Sequence, residues 1–232
     1  MAQNAQTALE PRKTPVQARS AVTVAAICEA TIQVLLSHGA ERLTTTRVAE
    51  RAGVSVGTLY QYYPNKQSLL FAVLEDHLDK VSAAVETSCR RARGKPLAEM
   101  VKDVVEAFVD VKMARTDIST ALYRIAAEVG GPALVRRTGQ RSQKALEQML
   151  RTAPDAVLRQ EKFAIQMVFA AMAGTTRSVL EAGASAAMVR NLRDHLVLLC
   201  RSYLMAAIQP RPSAMTLDLS HRCRAPHFRR SS

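Results

Sequence analysis

The chain has little cysteine and no paired cysteine chemistry. Cys28, Cys89, Cys200 and Cys223 are far apart, and no two stand at CxxC spacing. That argues against a disulfide scaffold and for a reducing compartment. Cys28 and Cys200 fall in apolar helical patterns, where a thiol serves as a small hydrophobe. No run of about 18 apolar residues occurs, which argues against a membrane span. The N-terminus, MAQNAQTALEPRKTP, is polar and lacks a signal-peptide core, so a cytoplasmic location is expected. No segment alternates apolar and polar residues for long, so no strands are expected. Gly-rich phosphate loops, nucleophile elbows and HExxH are all missing. Asp194, His195, Cys200 and Ser202 are catalytic residue types, but adjacent helical residues point ~100° apart. The chain is therefore not expected to be an enzyme, and no cofactor is expected. His221, Cys223 and His227 cluster in a breaker-rich tail, but three ligands make no closed structural site; no metal is expected.

What the chain has is positive charge and helical periodicity. Across 232 residues the net charge is +12 and the pI about 10.1, which fits a polyanionic partner such as nucleic acid or a membrane surface. The charge is spread out: residues 1–66 hold seven Lys and Arg against four Glu, and the last 23 residues hold five Arg against one Asp. Charge alone locates no binding surface, since a solvated basic face accounts for much of the excess.

Residues 1–20 are polar, with Pro11, Pro15, Arg12, Lys13 and Arg19, and read as a disordered basic arm. Val24, Ile27, Cys28, Thr31, Val34 and Leu35 define an amphipathic helix from Thr23 to His38, with Gly39 as its C-cap signal. Thr44 and Thr45 are candidate N-caps for the next helix, and Asn65 for a long one running to about Cys89. The loop Arg90-Arg91-Ala92-Arg93-Gly94-Lys95-Pro96 is basic and rich in breakers, and a domain boundary falls near it. Helices are then expected over Leu97–Ala114, Asp117–Val129, Ala133–Leu150, Asp155–Ala182 (one helix or two) and Ala187–Ile208. The tail, 209–232, lacks periodicity and reads as disordered.

The most informative stretch is LTTTRVAERAGVSVGTLYQYYPNKQSL, from Leu43 to Leu69. Val48, Ala49 and Ala52 give one apolar helical face, Gly53-Val54-Ser55 a tight turn, and Leu59 the anchor of a second helix. Two short helices joined by a Gly-containing turn form a helix-turn-helix, whose second helix can enter the major groove. Thr45 and Thr46 suit a phosphate at the first helix's N-terminus. Ser55 is the N-cap of the second helix. Val56 can touch a thymine methyl, Gly57 permits close approach to bases, and Thr58 follows them. Tyr60 and Tyr62 can offer hydroxyls to phosphates, as can Lys66 its ammonium. Tyr63 is expected to pack inward, because three aromatics in four positions cannot share one side. No Arg, Asn or Gln stands at the first positions of this helix; Gln61 is the one amide, expected to face solvent.

The stretch TTTRVAERAGVSVGTLYQYYPNKQSLL, after the helix TVAAICEATIQVLLSHG, resembles the N-terminal domain of TetR/AcrR-type transcriptional regulators. The family pattern is met by Thr44, Val48, Ala49, Ala52, Gly53, Val54, Ser55, Gly57, Thr58, Leu59, Tyr60, Tyr62, Tyr63, Lys66 and Leu69. Tyr63 stands where Phe is commoner. The resemblance covers roughly 22–72, under a third of the chain. It implies an all-α, Ω-shaped homodimer: a helix-turn-helix domain (21–68), then a helical effector-binding and dimerisation domain (69–208). It also implies DNA contacts from Thr45, Thr46, Ser55, Val56, Gly57, Thr58, Tyr60, Tyr62 and Lys66. The dimer interface would lie in Asp155–Ala182 and Ala187–Ile208, where Ala170, Ala171, Ala173 and Gly174 allow close helix approach. The expected partners are a double-stranded operator and a small apolar effector that releases it. Candidate pocket residues are Met100, Val104, Phe108, Met113, Tyr123, Met167 and Phe169, each weighed against plain core; nine Met and few aromatics suit an adaptable pocket. The alternatives are a redox or metal sensor with DNA binding, or an interaction module without a specific operator.

Overall fold

The computed structural model describes residues 18–158 and 160–209. Among them the chain forms nine helices: α1 (Ala18–Arg42), α2 (Thr45–Ala52), α3 (Val56–Tyr62), α4 (Lys66–Ala92), α5 (Leu97–Met113), α6 (Thr116–Ile125), α7 (Gly131–Leu150), α8 (Glu161–Glu181) and α9 (Ala186–Ala206). The all-α expectation holds, with one addition. β1 (Val157–Leu158) and β2 (Ile208–Gln209) form a two-residue antiparallel ladder, too short for alternation to reveal it. The basic arm up to residue 17 and the tail from residue 210, with its His221, Cys223 and His227, lie outside the described residues.

Local chemistry sets the boundaries. Gly39 breaks the helical backbone of α1 at φ 76°, a left-handed conformation that costs glycine least. Thr44 Oγ1 accepts from Arg47 N at 3.3 Å and opens α2. Asn65 Oδ1 accepts from Ser68 N at 2.8 Å, while Asn65 N donates to Ser68 Oγ at 3.3 Å. This reciprocal capping box opens α4. Among the expected boundaries that move are two in the larger unit. Asp155 starts no helix, because its carboxylate accepts from Leu97 N at 3.0 Å and so caps α5 from a distance. The helix after it begins at Glu161, and α6 stops at Ile125 rather than Val129. There the chain turns back so tightly that Gly131 N reaches Ala126 O at 2.7 Å.

Two cores share one helix. The first gathers Ile27, Val34, Val48, Leu59 and Tyr63 around Leu69, Leu70 and Val73 of α4, and is roofed by Leu122 and Ile125 of α6. The second packs Val81, Val85 and Cys89 of α4 against α5, α7, α8 and α9, through Met100, Phe108, Leu146, Met172 and Leu196. Ion pairs Arg137–Glu75, Arg141–Asp79 and Arg141–Glu86 tie α7 to the exposed side of α4. Two helices, Ser20–Arg42 and Glu161–Glu181, hold 18-residue windows of mean hydropathy 1.6 and 1.3 and are long and apolar enough to cross a membrane. The sequence reading missed them because small and polar residues interrupt each run. Ile27, Val34 and Leu35 of the first, and Ile165, Val168 and Met172 of the second, are buried inside the fold.

Gly131 is fixed by the α6–α7 turn. A Cβ there would collide with the carbonyl oxygen of Ala126 and stand 2.8 Å from its carbon, backbone that cannot rotate away. Gly131→Ala is expected to destabilise the protein by roughly 1–3 kcal/mol, read as a lower urea midpoint at unchanged slope.

Candidate DNA-binding surface and effector cavity

The helix-turn-helix is built from the residues that were expected to hold it. Gly53, at φ 68°, ends α2, and Val54 N returns to Ala49 O at 3.0 Å, so the chain reverses within one turn. Val48, Ala49 and Leu59 are buried between α1, α2 and α3. Tyr63 is the inward tyrosine, 2% exposed, its hydroxyl 3.5 Å from Cys28 Sγ. Gln61 faces solvent.

The structure brings two of the expected DNA-facing groups together. Tyr60, 43% exposed, sets its hydroxyl 3.1 Å from Thr45 Oγ1. Hydroxyls from α2 and α3 thus form one polar pair on the open face. Ser55 Oγ accepts from Thr58 N at 3.0 Å and lies 2.8 Å from Thr58 Oγ1, so capping already engages both side chains. Thr46 is exposed. Val56 and Tyr62 are half-buried and lean on the core, which leaves only part of each for DNA. Lys66 is half-buried in the first turn of α4. The nearby arginines are used internally: Arg47 Nη1 donates to Arg42 O and Arg51 Nε to Gln33 Oε1, each at 2.6 Å. A Cβ on Gly57 would meet only Ser55 Oγ, at an ordinary 3.7 Å. The fold itself therefore does not require glycine at this position.

A cavity of about 450 Å³ opens between α4, α5, α6, α7 and α8, within the ~300–1,000 Å³ range of small-molecule sites. Of the seven candidate pocket residues it takes in Phe108, Tyr123 and Phe169. The other four do not line it. Met100 and Val104 are buried in the second core, away from the cavity, and Met113 packs against the same core. Met167 faces outward, 44% exposed. Helical periodicity separates apolar from polar faces; it does not show which part of an apolar face meets a void. Gly139 lets the Phe169 ring seat against α7, since a Cβ there would come within 3.2 Å of that ring.

The cavity's polar residues were not anticipated. Ser82 Oγ donates to Thr138 O at 3.2 Å, and Ser142 Oγ to Ser82 Oγ at 3.4 Å. Lys112, 4% exposed, holds its ammonium 4.7 Å from the Tyr123 ring centroid and 3.5 Å from His77 Nε2. Burial pushes Lys112 down to about 8 from 10.5. Burial, then the charges of Lys112 and Lys80, pushes His77 down to about 3. His77 is therefore a neutral acceptor toward Lys112 at physiological pH. The available signal was the register Val101, Val105, Phe108, Lys112, which carries a lysine on an apolar stripe. Burial also raises the thiols of Cys28, Cys89 (to about 12) and Cys200 (to about 11), which leaves them thiol rather than reactive thiolate. Among the described residues no three His, Cys, Asp or Glu side chains form a metal-holding group.

A short helix offered on an open face after a tight turn, with a further helical unit that holds a cavity, defines a helix-turn-helix protein with a second helical module. The comparisons place it further. The N-terminal model of bacterial regulatory proteins of the tetR family matches residues 20–73, and the Tetracyclin repressor-like C-terminal domain matches residues 96–204. The chain belongs to the TetR family. It is 38% identical over 60 residues to the HTH-type transcriptional repressor KstR of Mycolicibacterium smegmatis. That alignment spans 26% of this chain and 29% of the repressor's length. A TetR-family regulator structure from Mesorhizobium loti superposes with TM-score 0.69 at 14% identity, over 82% of this chain and 98% of that one. The regulator FadR of Bacillus subtilis, solved in complex with stearoyl-CoA, gives TM-score 0.59 at 16% identity, over 77% and 98%.

The buried Lys112–His77 pair predicts how stability follows pH. In the folded state Lys112 releases its proton near pH 8, in the unfolded chain near 10.5. Between those values the unfolded state binds more protons, so stability rises with pH, by up to roughly 3 kcal/mol. His77 acts on the acid side: the unfolded chain takes up its proton near pH 6.5 and the folded one only near 3, so stability is lost as pH falls through that window. Chemical denaturation from pH 4 to 10 is expected to show both slopes, with Lys112→Met removing the alkaline rise and His77→Asn the acid fall.

Proposed function

We propose that this chain is a ligand-responsive repressor of transcription that works in the cytoplasm, binds a palindromic operator as a homodimer, and leaves it when a small molecule enters the cavity. Residues 21–68 serve as the DNA-binding domain and 69–208 as the effector and dimerisation domain. The observation that carries this reading is the position of the cavity. Its walls include Leu78 and Val81 of α4 and Tyr123 of α6, with Ala126 just beyond its end, and both helices also contribute to the core beneath the helix-turn-helix. A ligand that favours one arrangement of these helices biases the placement of α3. The likeness to the HTH-type transcriptional repressor KstR and to FadR in complex with stearoyl-CoA supports the two halves of the reading.

On DNA, Thr45, Thr46, Tyr60 and Lys66 hold phosphates, the Thr45–Tyr60 pair acting as one clamp across α2 and α3. The start of α3, at Ser55, Val56, Gly57 and Thr58, meets the base edges, with Tyr62 at the flank. For dimerisation, Phe163 and Met167 of α8 and Leu198, Leu199 and Met205 of α9 are 44–56% exposed. Such apolar side chains on the two last long helices suit burial against the same helices of a second copy. In that dimer the two α3 helices sit about 34–36 Å apart, one turn of DNA.

Sequencing of genomic fragments retained by the purified protein at near-physiological salt tests the reading. A palindromic site is the expected result; retention without sequence preference would reduce the protein to a basic helical module. On that site Gly57→Leu is expected to weaken binding by about tenfold or more without lowering thermal stability. Lys66→Ala should weaken binding to all sequences alike and reduce the salt slope by about 1. A change in base preference on removing Lys66 would contradict its phosphate role. Leu198→Glu is expected to give monomers in sedimentation experiments and to lose operator binding with them.

A further inference from the structure

The wall of the cavity contains a buried cation with no anion beside it. Lys112 is 4% exposed. Its ammonium touches His77 Nε2 and the face of Tyr123, both neutral groups, and among the described residues no carboxylate pairs with it. The exposed cations nearby are treated in the opposite way: Arg137 pairs with Glu75, Arg141 with Asp79 and Glu86, and Arg177 with Glu181. Burying an ammonium without a counter-charge is costly and adds nothing to folding that a methionine would not. Among the described residues Lys112 is the buried charged side chain, and it stands in the wall of a void large enough for a ligand. A second cation, Arg177, lies over the same Tyr123 ring at 5.6 Å. Most of the remaining lining is apolar, including Leu78, Val81, Phe108 and Phe169.

We propose that the effector is an amphipathic organic acid whose carboxylate pairs with Lys112 and whose apolar body lies against Phe108 and Phe169. This rests on the reading of the cavity as the effector site and names the chemical class that the site takes. The acid supplies the missing negative charge in a water-poor setting, where a charge-assisted hydrogen bond is strongest. A neutral analogue leaves the ammonium uncompensated. An amine meets Lys112 and Arg177 as like charges. Small hydrated ions gain nothing from the apolar lining. The head-group position also links binding to release: Lys112 is on α5, His77 on α4 and Tyr123 on α6, so a carboxylate drawing the ammonium toward itself alters its contacts with both helices that reach the DNA-binding unit.

The test titrates the purified full-length chain with decanoate, decanol and decylamine at submicellar concentrations, by calorimetry. Decanoate is expected to bind about tenfold or more tightly than either analogue and to displace the protein from its operator. Lys112→Met is expected to abolish that preference, and Lys112→Arg to keep it. If decanol binds the native protein as well as decanoate does, or if Lys112→Met keeps the preference, the charge assignment is wrong while the cavity remains an effector site. If none of the three binds, the effector reading of the cavity falls and this inference with it. The comparison of probes on the native protein decides the matter even if Lys112→Met fails to fold.

Discussion

The architecture depends on one constraint: α4 belongs to two hydrophobic cores at once. Leu69, Leu70 and Val73 complete the core beneath the reading helix, and Val81, Val85 and Cys89 complete the core of the larger unit. The helix is 27 residues long, about 40 Å, and has no break within it. Packed cores resist gradual deformation, so a displacement at one end is carried to the other rather than absorbed. The capping box at Asn65 and Ser68 fixes the end nearest the helix-turn-helix, and the ion pairs of Arg137 and Arg141 fix its exposed side to α7. The second link is α6, whose Leu122 and Ile125 sit in the first core while Tyr123, on the helix's other side, faces the cavity.

The larger helical unit holds polar groups within its apolar interior. Ser82, Thr138 and Ser142 form a hydrogen-bonded seam between α4 and α7, and Lys112 and His77 add two titratable side chains. Each is a cost to folding unless matched. The seam is matched internally. The ammonium is matched only by a ring face and an imidazole nitrogen. The protein has thus placed a buried charge without a counter-ion beside both helices that reach the first core, and an energetic imbalance at such a point is what a ligand can act upon.

Much of the DNA-binding unit was legible in the sequence because its determinants are local. Thr44, Ser55 and Asn65 cap helices through their own hydroxyl or amide groups, Gly39 breaks α1 and Gly53 ends α2 at positive φ, and Leu59 and Tyr63 fall on the inward face by spacing alone. The Thr45–Tyr60 contact needed the crossing of α2 and α3, which no local pattern gives. The cavity was less legible for the same reason. Phe108, Tyr123 and Phe169 come from three different helices, and Met100, Val104 and Met113 carry the same apolar signature without bordering a void. Asp155 was misread as a helix start because an N-cap residue looks alike whether it caps its own helix or, as here, another one.

The size of the movement needed for switching follows from the geometry. A tilt of about 5° in a rod some 40 Å long moves its far end by roughly 3 Å, and in the proposed dimer, with two such rods, the change between reading helices can reach about twice that. Groove entry by both helices requires a spacing near 34–36 Å, so a tilt of this size is enough to set the second helix off its groove once the first is seated. The energy required is small on the same scale. Moving a two-state equilibrium from mostly bound to mostly released takes about 5 kcal/mol of differential ligand affinity, of the order that one well-paired buried charge and a few buried methylene groups supply together. A single buried cation and a cavity of about 450 Å³ are therefore sufficient, and no larger rearrangement of the fold is called for.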